Sequence, residues 1–194
     1  MRRDTLPGEI NDYILQQASF SRLLLLTVIM MDLGILVISP ISPSEELMAL
    51  ANGRNVPDTQ FNRSAADFYD QLAAYGENCR RLYLTRISPV DLFIPLTQAL
   101  FLAVAISLAA RRALAPGSDW QLLNLLPFVA MLGDYLENAS IAGLMQAYPT
   151  RLDGLAMLFT AVKFIFTITS VGGMLLAGVA WLSQRGRRPK VGIR

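Results

Sequence analysis

Three carboxylic acids and one lysine lie within long apolar stretches of this sequence: Asp32, Asp134, Glu137 and Lys163. A charge at the centre of a bilayer costs about 2.5–3.5 kcal/mol on insertion scales, so such residues usually pair with one another or line a wet cavity. Glu137 and Asn138 follow Asp134 by three and four residues, so the three side chains share one face of a helix. We interpret these five residues as a buried charge cluster.

Glu137 and Lys163 are predicted to form an ion pair because they lie at the same height on adjacent helices. Glu137 lies 12 residues before a turn at 149–153, which is about 18 Å along a helix, and Lys163 lies 10 residues after it, which is about 15 Å. Both positions are near the midplane of a bilayer. Two interpretations stay open: a structural lock between the helices, or an active or transport site with Asp134, Glu137 and Lys163 as candidate catalytic residues.

The acids of this cluster outnumber its lysine, and uncompensated carboxylates are expensive in a medium of low dielectric constant. Three solutions are possible. At least one acid is protonated at neutral pH, an arginine of the outer loop reaches the cluster, or water fills a cavity beside it.

The composition indicates an integral membrane protein. The 194 residues are 53% hydrophobic and 16% charged, whereas about 25% of the residues in an ordinary soluble domain are charged. The net charge of +2 is too small to indicate nucleic-acid binding. Without histidine and with one cysteine, the chain cannot form a Ser-His triad or the usual zinc, haem and iron–sulfur ligand sets. We therefore expect no metal and no cofactor, and we interpret Cys79 as a packing residue.

Four apolar stretches approach the roughly 20 residues that a membrane span requires. They predict an all-α fold, a bundle of four transmembrane helices with an amphipathic helix in a long first outer loop. The predicted segments are a cytoplasmic amino-terminal segment at 1–22, spans at 23–41, 89–112, 120–148 and 154–183, an outer loop at 42–88 with its helix at about 65–87, a cytoplasmic turn at 113–119, an outer turn at 149–153, and a basic cytoplasmic tail at 184–194.

Basic residues crowd the ends of the spans on one side, at Arg22, Arg111, Arg112 and 185–190. The positive-inside rule therefore places both termini in the cytoplasm. The preference for arginine over lysine, with abundant leucine and alanine, suggests a bacterial genome. We expect a multi-pass protein of the bacterial plasma (inner) membrane.

The outer-loop helix is predicted from a capping box at Ser64-x-x-Asp67, followed by one apolar stripe at Phe68, Leu72, Tyr75, Cys79 and Leu82. The same helix carries aromatic and basic residues, which allow two interpretations. It lies at the interface with tyrosines and arginines on lipid headgroups, or it forms a lid from which an arginine reaches the buried acids. These lipid or lid residues are Tyr75, Arg80, Arg81, Tyr83 and Arg86.

Small residues on the fourth span, Ser170, Gly173 and Ala177, indicate close helix packing, within the bundle or against a partner helix.

Three functions are compatible with these features. The first is a non-catalytic accessory, assembly or scaffold subunit of a membrane complex, in which the charge cluster locks the bundle. Its partners are the lipid bilayer and another membrane protein or a second copy, and not a nucleic acid. The second is a lipid-active enzyme with an acidic site in the outer leaflet, where Lys163 and a loop arginine hold a phosphate. The third is a proton-coupled carrier or channel that works as a homo-oligomer through Asp32, Glu137 and Lys163.

Overall fold

The computed structural model describes residues 5–57, 64–148 and 153–186. Part of the predicted outer turn (149–152), part of the predicted basic tail (187–194) and residues 1–4 of the amino-terminal segment lie outside the described residues. Every regular element within the described ranges is helical. These elements are α1 (Leu6–Gln17), α2 (Phe20–Ile38), α3 (Pro43–Leu50), α4 (Ala65–Ala74), α5 (Gly76–Leu82), a π-helical turn (Tyr83–Ile87), α6 (Ser88–Asp91), α7 (Phe93–Ala113), a 3₁₀ segment (Asp119–Leu125), α8 (Leu126–Gln146) and α9 (Asp153–Gly186).

The core of the bundle consists of three helices, because α7, α8 and α9 all pack on one another. Helix α2 lies outside this core: it packs mainly on α7, touches α3, and buries none of its residues. The prediction of an all-α fold is therefore confirmed, whereas the predicted bundle of four helices is a three-helix core with α2 beside it. A helix that is apolar all round, as α2 is, does not indicate from its sequence which face meets the protein.

Three helical segments in the described part of the chain are long and apolar enough to cross a membrane, namely 20–50, 76–113 and 154–183. Helix α8, the third predicted span, is not among them. The reason lies in its middle, where Asp134, Glu137 and Asn138 lower its mean hydropathy. The residues that carry the predicted site are thus the ones that weaken the apolar signal of α8.

The start of the third predicted span, at residue 120, needs a correction. The chain runs as a 3₁₀ segment from Asp119 to Leu125, and the α-helix begins only at Leu126. Pro127 occupies the first turn of α8, where its missing N–H costs no hydrogen bond. The same proline would break a continuous helix through this point.

Helices α3 to α6 and the π-helical turn form a layer over one end of the bundle, which we call the outer cap. Its buried core includes the predicted apolar stripe, which is confirmed. These side chains pack on Ile141, Leu144 and Met145 of α8 and on Ala156 of α9. The capping box of Ser64 and Asp67 is also confirmed. The helix breaks at Gly76, whose φ of 63° is readily adopted only by glycine.

At the opposite end of the bundle, hydrogen bonds connect α1 to α7. The guanidinium of Arg111 donates to the backbone oxygens of Leu15 and Ala18, each at 3.1 Å, where the carbonyls at the end of α1 need donors. Arg112 lies over the ring of Trp181, 5.1 Å from its centroid. This end therefore concentrates positive charge and an aromatic side chain at one level.

Candidate functional site

The predicted ion pair is confirmed and lies between α8 and α9. The Nζ atom of Lys163 is 2.5 Å from Oε2 of Glu137 and 3.5 Å from Oδ1 of Asp134. The side chain of Glu137 is fully buried, whereas those of Lys163 and Asp134 are 13% and 14% exposed. Lys163 and Asp134 therefore reach the surface of a cavity, and Glu137 pairs with the lysine from a position inside the protein.

Two neighbours orient the carboxyl groups of this cluster. Oγ1 of Thr160 lies 2.5 Å from Oε1 of Glu137, and it also lies 2.9 Å from the carbonyl oxygen of Ala156. One hydroxyl proton serves only one acceptor at a time, and an ionised Glu137 beside a lysine is the stronger one. Asn138 donates from Nδ2 to Oδ1 of Asp134 at 3.3 Å, so its predicted place in the cluster is confirmed.

Sequence reasoning missed Thr160, although a signal exists. Thr160 precedes Lys163 by three residues, so both side chains lie on one face of α9. A hydroxyl on the face that carries a buried lysine is a natural second donor for the acid that pairs with the lysine.

Helices α8 and α9 lie close together beside the ion pair, and Gly133 permits this approach. A Cβ atom at Gly133 would lie 3.0 Å from the backbone nitrogen of Lys163 and 3.0 Å from Cγ1 of Val162. The sequence analysis did not single out this glycine. It precedes Asp134 directly, so the glycine that brings the helices together and the acid that faces the lysine are consecutive residues.

The small residues predicted on the fourth span have different surroundings. Ser170 is fully buried and donates to the carbonyl oxygen of Phe166 at 2.6 Å. Gly173 is buried, and a Cβ atom there would meet Leu123 of the 3₁₀ segment at 3.6 Å. Ala177 is half-buried. Ser170 and Gly173 therefore serve packing inside the bundle.

The prediction that Asp32 joins the buried cluster is wrong. Asp32 is exposed on α2, the helix that buries no residue, and it lines neither of the cavities described below. The relay of Asp32, Glu137 and Lys163 that a carrier would need is therefore not assembled within one chain.

A cavity of about 340 Å³ lies between the bundle and the outer cap, and we call it the charged cavity. Its polar wall contains Arg86, Asp91, Asp134 and Lys163, which come from four different elements. Its other walls are mainly apolar. They draw on α2, α3, α6, α7, α9, the π-helical turn and the segment after α3, with Leu36, Val37, Pro43, Val56, Ile87, Val90, Ile94 and Phe164. Charges of both signs thus meet in one partly enclosed apolar space.

A second cavity, of about 230 Å³, lies beside the first between α2 and α7; we call it the apolar groove. Val37 and Ile94 line both spaces. The remaining walls of the groove are Met30, Leu33, Gly34 and Ile38, all from α2. A cavity with charged side chains on one wall and an apolar groove, sharing two lining residues, fit a molecule with a polar head and a hydrocarbon chain.

The five predicted lipid or lid residues separate into three groups. Tyr75 and Tyr83 are buried in the core of the outer cap, so their predicted placement on lipid headgroups is wrong. Arg80 packs 4.6 Å from the ring centroid of Tyr148, and Arg81 is exposed.

Arg86 alone of the five lines the charged cavity, where it forms an exposed ion pair with Glu46. Arg86 lies in the π-helical turn, whose wider winding shifts the direction of its side chains relative to an α-helix. Arg86 therefore lines the same cavity as Asp134, but its ion pair is with Glu46, and the lid interpretation stays a prediction.

Within the described residues, no group of three or more His, Cys, Asp or Glu side chains is arranged to hold a metal ion. No family model, curated protein or solved structure matches the chain. What the site does must therefore be inferred from its own geometry. The site contains a carboxyl group that can exchange a proton, two cations that can bind an anion, and the apolar groove, which can hold a hydrocarbon chain.

Proposed function

We propose that this protein is a multi-pass protein of a bacterial inner membrane that binds one molecule of the lipid class. The charged cavity holds the polar headgroup, and the apolar groove holds one hydrocarbon chain. The observation that carries the proposal is that the two spaces adjoin, with Val37 and Ile94 lining both. Together the two volumes lie in the range of ligand sites, about 300–1,000 Å³, and they combine apolar walls with a few converging polar groups.

The lengths of two helices support this placement in the membrane. Lys163 and Ser183 on α9 are 20 residues apart, as are Asp91 and Arg111 on α6 and α7, and each interval corresponds to about 30 Å of helix. The hydrocarbon layer of a bilayer is also about 30 Å thick. With Arg111 and Ser183 at the inner boundary, Lys163 and Asp91 reach the outer boundary, where lipid headgroups lie.

This frame replaces the midplane position expected for Lys163 with one at the outer surface. It places the outer cap outside the membrane and both termini in the cytoplasm, with α2, α7, α8 and α9 as the four spans. The apparent cost of the charges falls as well, because a lysine and its acids at the headgroup level are only partly removed from water.

A lipid-active enzyme would use the same cavity, with a sharper division of roles than the sequence indicated. Asp134 and Lys163 line the cavity and would touch a ligand. Glu137 is fully buried behind Lys163, so it would act as a positioning residue. Asp134 is then the one candidate of the three for proton exchange with a bound headgroup.

Native mass spectrometry of the purified protein, before and after lipid is stripped and restored, tests the proposed function. Arg86→Gln should weaken lipid retention because it removes a cavity cation, whereas the matched Arg81→Gln should not. Val37→Trp should block the groove, whereas Ile35→Trp, on an exposed part of α2, should leave retention unchanged. Absence of bound lipid, or equal retention in all four variants, would eliminate the proposal.

A second candidate function, an accessory or scaffold subunit, is favoured by α2. This helix has no buried residue, and it carries Asp32 exposed about 15 Å from Arg22, about two thirds of the way along its length. A carboxyl group in that position would be stabilised by a hydrogen-bond donor on the helix of another protein or of a second copy. Site-specific photocrosslinking from Ile29 and Ile35 in intact membranes would identify such a partner, and exclusive crosslinking to lipid would refute this role.

A further inference from the structure

We infer that the charged cavity selects a headgroup carrying a primary ammonium group beside its phosphate, as in a phosphoethanolamine headgroup, over a purely anionic one. This inference rests on the proposed lipid-binding function and specifies its ligand. The observation behind it is the balance of charge around the cavity, together with the way its two cations are already engaged.

Both cations of the cavity have carboxylate partners within the protein. Arg86 pairs with Glu46 at the mouth, and Lys163 pairs with Glu137, 2.5 Å away, at the enclosed end. Asp134 also lies 3.5 Å from Lys163, and Asp91 and Asp134 complete the polar wall. Among these residues, four carboxyl groups surround two cations, so acidic groups are in excess before any ligand binds.

A purely anionic headgroup would add to this excess. The repulsion between its charge and the acidic groups would be strongest where water is partly excluded. A zwitterionic headgroup brings its own cation. Its phosphate oxygens can accept from the guanidinium of Arg86, which offers a planar set of donors suited to phosphate. Its ammonium group can then approach Asp91 and Asp134.

The number of N–H donors distinguishes two zwitterionic headgroups. A primary ammonium has three N–H donors, as a lysine side chain does, and can bond to carboxyl oxygens on two elements at once. A trimethylated ammonium has none. The enclosed end of the cavity, where Asp134 and Lys163 are only 14% and 13% exposed, offers a weakly hydrated place in which such hydrogen bonds count most.

The orientation of the ligand follows from exposure. Arg86 and Glu46 are about half exposed, so the phosphate binds at the mouth beside them. Asp134 lies deeper, so the ammonium group points inward. The hydrocarbon chain leaves past Val37 and Ile94 into the apolar groove.

The test uses full-length protein stripped of lipid and titrated with three lipids of identical acyl chains: phosphatidylethanolamine, phosphatidylcholine and phosphatidylglycerol. Native mass spectrometry counts the bound molecules. Phosphatidylethanolamine should bind about tenfold more tightly than either of the others, the effect of one charge-assisted hydrogen bond. Asp134→Asn and Asp91→Asn should each reduce this preference, whereas Asp70→Asn, on the exposed surface of the outer cap, should not.

Each outcome has a separate meaning. Equal or tighter binding of phosphatidylglycerol would overturn the inferred selectivity and leave the lipid-binding function standing. Equal binding of phosphatidylcholine would overturn the role of the N–H donors. If none of the three lipids bound, the proposed function itself would fail. If both Asp variants kept the preference and size-exclusion chromatography showed that they were folded, these carboxyl groups would not determine headgroup selectivity.

Discussion

Removing Lys163 should destabilise the protein far more than removing Lys163 and Glu137 together. In Lys163→Met, the fully buried carboxylate of Glu137 loses the ammonium group that lies 2.5 Å away. Breaking one side of a buried ion pair costs about 3–5 kcal/mol, chiefly because the remaining charge is left in an apolar surrounding. Glu137→Gln should cost less, because Lys163 keeps Asp134 at 3.5 Å and is partly exposed to water.

The double variant Lys163→Met, Glu137→Gln removes both charges and keeps an oxygen that can accept from Thr160. We expect its stability to lie above that of Lys163→Met alone, with a coupling energy of at least about 2 kcal/mol between the two sites. Reversible unfolding in mixed micelles, followed by circular dichroism over a denaturant titration, measures the four free energies of unfolding.

The chain supplies a matched control in the ion pair of Arg86 and Glu46. The two side chains are 51% and 48% exposed, and exposed pairs contribute about 0–1 kcal/mol. The cycle Arg86→Met, Glu46→Gln should therefore show little coupling. If the losses from Lys163→Met and Glu137→Gln simply added, or if the exposed pair coupled as strongly, the account of the buried pair would be refuted.

Three further predictions concern single positions. Gly133→Ala should destabilise the protein by about 1–3 kcal/mol, because its Cβ atom meets the backbone of Lys163 at 3.0 Å; Gly143→Ala, in open space on the same helix, should not, and equal midpoints in thermal unfolding would contradict the prediction. Asp32→Leu should leave the unfolding midpoint of the purified protein unchanged or raise it, since no residue of α2 is buried, and a large loss would show that Asp32 is held inside the fold. Cys79 should react with a membrane-permeant maleimide only after denaturation, because it is 2% exposed, and rapid labelling of the folded protein in a mass-shift assay would disprove its burial.

Much of the helical framework follows from sequence periodicity. The apolar stripe from Phe68 to Leu82 and the capping box at Ser64 could be predicted because both depend on neighbours within one or two turns. The pairing of Lys163 with Glu137 could be predicted because a short turn between two helices fixes their relative height. In each case the spacing along the chain determines the distance in space.

The direction of a side chain around its helix could not be obtained in the same way. The distance of Asp32 along α2 could be counted from the sequence, but an apolar helix such as α2 gives no indication of which side faces the protein. Tyr75 and Tyr83 are of a residue type common at membrane interfaces, yet their rings are buried in the core of the outer cap.

The charged cavity is also beyond sequence reasoning, because its walls come from elements far apart in the chain. Arg86 in the π-helical turn and Asp134 in α8 have no sequence relation that would predict a shared space. Their meeting depends on how the outer cap packs on the bundle, which only the tertiary structure shows.

The position of the apolar groove affects how affinity must be defined. The groove lies between a peripheral helix and the three-helix core, so a lipid ligand would enter sideways from the surrounding bilayer and its hydrocarbon chain would never cross water. The relevant concentration is then the mole fraction of the ligand among the surrounding lipids. A dissociation constant measured against total volume would change with the amount of detergent or bilayer, although the site itself did not change. Occupancy would follow the composition of the membrane, and a modest intrinsic preference would fill the site with an abundant lipid.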